Sequence, residues 1–225
     1  MSGNNRVVRL SRVCLLAHLS MNVGTKSILF GVHAFWWHPF TVALAWRRLY
    51  GKWPGRYEWC AIFCHDLGYW GCPNMDGKEG RQHPLKSAAI AFQVAKWVSR
   101  FYWWNVWKRC PQGCAESVGL DTAFKVRHHS REMVKKDNEI FTTNFQPSRL
   151  CWADKFCCFY DPTWFYLLRA HLSGEIYEFR ANAAGHIPDT FSFADWYRWY
   201  RLKILWLPEI QSLLARSRRS CIFPF

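Results

Sequence analysis

What narrows the fold most is where the chain is punctuated. Apolar runs too long for ordinary strands are separated by short clusters of Gly and Pro. No stretch shows the sustained two-residue alternation, closed by a tight turn, that a sheet requires. Pro39 stands where the first turn of a helix tolerates a missing N–H. The apolar run behind it carries Arg47 and Arg48 near its end, where they suit the helix dipole, and Gly51 stops it. Trp53-Pro54-Gly55 reads as a turn, and residues 57–67 read as a second, largely buried helix closed by His65 and Asp66 before Gly68. Residues 68–84 are dense in Gly and Pro and predict a long loop beside an ordered core. Helical patterns return over residues 85–102, 120–136, 164–179 and 193–206, with a turn at Pro111-Gln112-Gly113 between the first two. Ser148 can cap a further helix through Leu150, Ala153, Asp154 and Phe156. The expected fold is all-α.

At 225 residues the chain can bury a real core, and its length favours one domain with one active centre. Thirty Lys and Arg against sixteen Asp and Glu give a formal charge of +14, a field that attracts polyanions: nucleotides, nucleic acid or an anionic membrane surface. Cys60, Cys64, Cys151, Cys157 and Cys158 sit inside apolar runs, so reduced, buried thiols are expected rather than a disulfide framework. The first twenty residues carry Arg6, Arg9 and Arg12 spread through them, have an apolar stretch of only residues 13–16, and lack the layout of a signal peptide, which predicts a cytoplasmic protein. Residues 28–46 carry no formal charge and approach membrane-spanning length. His33, His38, Pro39 and Thr41 within them argue against a transmembrane segment.

The chemistry concentrates in histidines and aspartates. Adjacent His65 and Asp66 at a helix end offer a nitrogen and a carboxylate oxygen side by side, a pair suited to a divalent cation. His38 one helix earlier and Asp154 later can complete such a site, because antiparallel helices bring distant positions to a shared interior.

The order His38, then His65-Asp66, then Asp154 resembles the HD-domain superfamily of metal-dependent phosphohydrolases, of the kind found in bacteria and phage. His38-Pro39-Phe40-Thr41-Val42-Ala43 is similar to the family's first-histidine helix, Phe63-Cys64-His65-Asp66-Leu67-Gly68-Tyr69 to its His-Asp helix end, and Cys151-Trp152-Ala153-Asp154-Lys155 to its last-aspartate helix. The resemblance covers residues 35–178. It implies an HD-like helical bundle with an interior metal site over residues 28–180, an N-terminal extension over 1–27, and a C-terminal helical extension over 181–225 packed on the same domain. It further implies that His83 and the pair His128-His129 can add ligands for a second ion. Asp66 would then bridge two cations, drawn from Mn, Fe, Mg, Co or Ni. Ser130-Arg131 stands where one phosphodiesterase branch has an acidic residue, and that branch's Gly-Tyr-Pro signature is absent, which argues against a cyclic dinucleotide as substrate.

A divalent cation lowers the pKa of bound water from about 15.7 toward 7 and polarises a phosphoryl oxygen, so the expected activity is hydrolysis of a phosphate ester, with a nucleotide as the favoured small-molecule substrate. Asp66 would orient the attacking water. Arg131 and Lys155 would bind phosphate, with Lys78 and Arg81 as further candidates and Arg131 preferred for its bidentate geometry. Oxygen-dependent di-iron chemistry on the same scaffold is the alternative enzyme reading. A basic, tryptophan-rich protein binding nucleic acid or a membrane surface, with Trp36, Trp37, Trp103, Trp104 and Trp107 and the tail Arg216, Arg218 and Arg219 as contacts, is the non-enzymatic one. His18, His33, His171 and His186 are read as structural. Cys60 and Cys64, one helical turn apart in an apolar run, are read as core filling, and a zinc site built with Cys110 and Cys114 is not expected.

Overall fold

A computed structural model describes residues 21–107, 113–182, 187–188 and 190–206 of the chain. Among these residues it is all-helical, as expected, and contains no strand. The helices are α1 (Val23–Phe30), α2 (His38–Tyr50), α3 (Arg56–Cys64), α4 (His83–Trp107), α5 (Cys114–Arg127), α6 (Arg131–Phe141), α7 (Arg149–Phe156), α8 (Thr163–Ser173), α9 (Glu175–Asn182) and α10 (Phe193–Trp206). His18, Cys110, His186 and the tail arginines lie outside the described residues.

The main core joins α2, α3, α4, α5 and α7 through Val42, Trp46, Ile62, Ala91, Val126, Leu150 and Phe156. A second cluster, built on Val32, Leu167, Ile176, Trp196 and Tyr200, packs α8, α9 and α10 together. Ile28, Tyr69 and Met75 form a third beneath the long loop. Helix α1 spans the expected boundary at residue 27 and contacts the short 3-10 turn Leu67–Tyr69.

Local chemistry accounts for the helix ends. Pro39 lies in the first turn of α2, and Gly51 closes the helix at φ 70° with its N–H on the Arg47 carbonyl. The uncharged stretch 28–46 breaks over residues 31–37, and no helix among the described residues is long and apolar enough to cross a membrane. Two expected helices are each divided. Residues 120–136 split into α5 and α6, because the Ser130 hydroxyl accepts the Met133 N–H and starts a new helix. Residues 164–179 split at Gly174, whose φ of 88° is accessible to glycine at little cost. Ser148 stands at the start of α7 as expected, but its hydroxyl does not cap. It donates to the Lys125 carbonyl at 2.8 Å while the Ser148 N–H donates to His128 O at 3.0 Å, tying α7 to the end of α5.

The loop is held tightly. The Met75 and Asp76 N–H groups donate to the Glu178 carboxylate, and Gly24 N–H donates to Cys72 O at 3.0 Å. Gly68 passes so close to α4 that a Cβ there would lie 2.1 Å from the His83 carbonyl oxygen and 2.7 Å from Ser87 Oγ. Gly68→Ala is therefore expected to cost about 1–3 kcal/mol by overpacking, measurable as a fall in the urea midpoint at constant m-value. An unchanged midpoint would mean that the two segments separate freely. All the described cysteines are free.

Candidate metal centre

Four helix ends and one helix face converge on a single buried point. His38 opens α2, His65 and Asp66 follow α3, His83 opens α4, His129 follows α5, and Asp154 projects from α7. His38, His65, Asp66, His83 and His129 are buried, while the Asp154 side chain keeps about a quarter of its surface exposed.

The ligand atoms fall into two groups. In the first, His38 Nε2 lies 3.2 Å from His65 Nε2, 3.2 Å from Asp66 Oδ2 and 3.1 Å from Asp154 Oδ1; His65 Nε2 lies 3.0 Å from Asp66 Oδ2 and 3.4 Å from Asp154 Oδ1. Atoms that share one cation at about 2.0–2.2 Å are separated by about this much. In the second, His83 Nε2 and His129 Nε2 are 3.1 Å apart and lie 3.7 and 3.9 Å from Asp66 Oδ1. The two Asp66 oxygens thus face different groups.

The residues fit a metal. Asp66 Oδ2 is buried and, although His38 and His65 Nε2 lie 3.2 and 3.0 Å away, neither meets it with hydrogen-bond geometry, a costly state for a carboxylate oxygen unless a cation meets it. The histidines are set for coordination as well. The Nδ1–H of His65 donates to Ile62 O at 2.6 Å, that of His83 to Gly80 O at 2.8 Å, and that of His129 to Val126 O. Each bond holds the proton on Nδ1 and leaves the Nε2 lone pair for the centre. His38 differs, its Nδ1 lying 3.8 Å from the Cys157 sulfur.

Electrostatics divides the groups. Burial pushes the His65 imidazolium down, but the Asp66 and Asp154 carboxylates outweigh it and lift the pKa to about 9. His38 is likewise raised, with burial opposing and the neighbouring Cys157, Asp154 and Asp66 outweighing it. Burial also works against the Asp66 and Asp154 carboxylates, yet the surrounding histidines hold both well below the usual range. In the second group burial dominates: His83 falls to about 3, helped by the neighbouring His129, and His129 is lowered too. Without a cation the first group therefore favours holding a proton, and the second favours the neutral form.

A cavity of about 540 Å³ opens on the centre past Tyr69, His83, His129 and Asp154. Arg81, Arg131 and Lys155 line it, together with Asp76 and Glu132. Arg81 Nε donates to Asp76 O at 2.8 Å. Lys78 is exposed and lies outside this lining.

Of the histidine pair, His129 joins the centre and His128 does not. His128 is turned so that its Nε2 meets Asp137 Oδ2 at 2.8 Å, and Arg127 holds the same carboxylate. The expectation of His128 as a ligand is corrected on this ground: its ring is committed to anchoring α6 against the end of α5.

His33, read from the sequence as structural, reaches the edge of the centre. Its Nδ1 lies 2.9 Å from Ser27 Oγ and 3.4 Å from Glu175 Oε2, and its ring packs against His38 and Tyr69. Tyr69 stacks on His83 with ring centroids 3.7 Å apart. Behind them, Arg169 donates to the Gly31 and Val32 carbonyls at 3.0 and 2.9 Å and to Asp161, while Glu175 Oε1 accepts the Val32 N–H at 2.9 Å. The segment leading into His38 is thereby fixed. The signal was present in sequence as charged residues, Asp161, Arg169 and Glu175, set within a largely apolar stretch over residues 156–179. No family model, curated protein or solved structure matches this chain.

Proposed function

We propose that the chain is a metal-dependent phosphohydrolase on a scaffold that resembles the HD-domain superfamily, acting on a phosphate ester and most naturally on a nucleotide. The observation that carries this reading is the division of Asp66: one oxygen faces His38, His65 and Asp154, the other His83 and His129, beneath a cavity lined by three cationic side chains. Bound divalent cations supply Lewis acidity and a low pKa for coordinated water. The protein contributes the rest. Arg131, Lys155 and Arg81 set positive charge where a phosphoryl group would enter, Asp66 accepts a hydrogen bond from the attacking water, and Tyr69 with His83 forms one cavity wall.

A second reading rests on the same residues. His38, His65, Asp66, His83, His129 and Asp154 make a six-ligand set, which suits a di-iron oxidase. Metal analysis of the purified protein, followed by phosphate release from a nucleotide panel with Mn, Mg, Fe, Co and Ni under anaerobic conditions, separates the two. Metal-dependent phosphate release without oxygen supports the hydrolase. Turnover only with iron and oxygen supports the oxidase, and salt-sensitive nucleic-acid binding that survives His65→Ala, with no metal, sinks both.

Cation binding carries a pH signature. Since the His65 pKa in the metal-free centre is raised to about 9, a cation binding at pH 7 must displace a proton. Proton release is expected in calorimetry at pH 7, and apparent affinity should rise with pH until about 9. An affinity flat between pH 6 and about 9 would contradict the protonated first group.

A further inference from the structure

We propose that α4 pairs with α4 of a second copy of the chain, antiparallel, through an outward stripe of Ile90, Val94, Trp97, Phe101 and Trp104. The inference is independent of the catalytic reading. Inside the chain, α4 uses small side chains: Ser87, Ala88, Ala91, Ala95 and Ser99 are buried against the rest of the bundle. Five of its large apolar residues point the other way. Trp97 is 65% exposed, Phe101 60% and Trp104 67%, with Ile90 and Val94 each 36%. A monomer has no use for such a face, which reverses the usual placement of small and large apolar groups.

The spacing identifies the occupant. The five positions run at intervals of four, three, four and three residues, the seam by which one helix packs along another. They extend along about 21 Å of helix. The stripe is also graded, small at Ile90 and Val94 and large at Phe101 and Trp104. A two-fold axis at Trp97 sets Ile90 opposite the second copy's tryptophan at 104, and Val94 opposite its phenylalanine at 101. Small then meets large on either side of a central pair of Trp97 rings, and the surface is self-complementary as a two-fold interface demands. Parallel pairing would stack the bulky ends on each other and leave a wedge at the small ends.

Charge and area agree. Lys96 and Arg100, beside the stripe, are each 3.0 Å from Glu116 of their own chain, which moderates repulsion between two copies of a basic protein. From the area an aromatic side chain can bury, the stripe offers about 500 Å² per copy, or about 1,000 Å² in a pair, the lower bound for a specific interface.

Sedimentation velocity of the full chain at high micromolar concentration should give a dimer. Trp97→Asp should raise the dissociation constant at least about thirtyfold while leaving helical content and metal content unchanged. In a second variant, Phe101→p-benzoylphenylalanine, irradiation should yield a species of doubled mass linked to the peptide that holds Val94. A wild-type monomer at that concentration would overturn the proposal, as would a crosslink from position 101 to residues 207–225 of the same chain. So would a monomer that loses binding to phosphatidylserine vesicles on Trp97→Asp, since the stripe would then be a membrane contact.

Discussion

Asp66→Asn is expected to purify without either ion and to release no phosphate, its apparent metal affinity falling more than about 100-fold, the upper end of the loss from deleting a residue that merely orients a ligand. The substitution preserves volume, so the fold should survive. What changes is chemistry. An amide has one oxygen and no charge, whereas the Asp66 carboxylate presents Oδ2 to His38 and His65 and Oδ1 to His83 and His129. Two companions make the test specific. His129→Ala should remove one ion and spare the other, because the group of His38, His65, Asp66 and Asp154 is left whole. His128→Ala should keep both ions and lose stability instead, since its Nε2 serves Asp137. Metal content measured by mass spectrometry gives the ratio directly, and an Asp66→Asn protein with full metal content would remove the basis of the proposed centre.

Arg169→Ala is expected to cost about 3–5 kcal/mol, the range for breaking a buried ion pair by removing one partner. For a chain of this size that corresponds to a fall in Tm of roughly 6–20 °C. Arg169 is 2% exposed and Asp161 6%, so the remaining carboxylate would be buried and uncompensated. The carbonyls of Gly31 and Val32 would lose their donor at the same time. Because those residues lead into His38, metal affinity should weaken as well. The double substitution Asp161→Leu with Arg169→Met, which removes both charges, should recover much of the stability. Chemical denaturation of the three proteins checks this, and a single variant as stable as wild type would show that the pair does not anchor the segment.

Much of this architecture could be read along the chain. Pro39 and Gly51 bound α2 by rules that involve only neighbouring residues, and the absence of two-residue alternation matches a structure without strands among its described residues. His65 and Asp66 stand together because they are adjacent, and helix-end chemistry places them at a junction. The divisions at Ser130 and Gly174 were less legible. A hydroxyl or a glycine within a helical pattern weakens the helix without necessarily breaking it, and the outcome depends on what the next turn packs against.

Tertiary structure alone decided the rest. His128 and His129 are identical in composition and neighbours in sequence, so no periodicity distinguishes them. The choice belongs to Asp137, which draws one ring away, and to His83, which meets the other across 46 residues. The role of His33 and the anchoring of residues 31–37 likewise depend on Glu175 and Arg169, more than 130 residues distant. Sequence determined which residues could bind a cation and that helices would carry them. Which of them meet was settled by packing, because side-chain direction at a helix end turns on the few backbone angles that long-range hydrogen bonds and burial select.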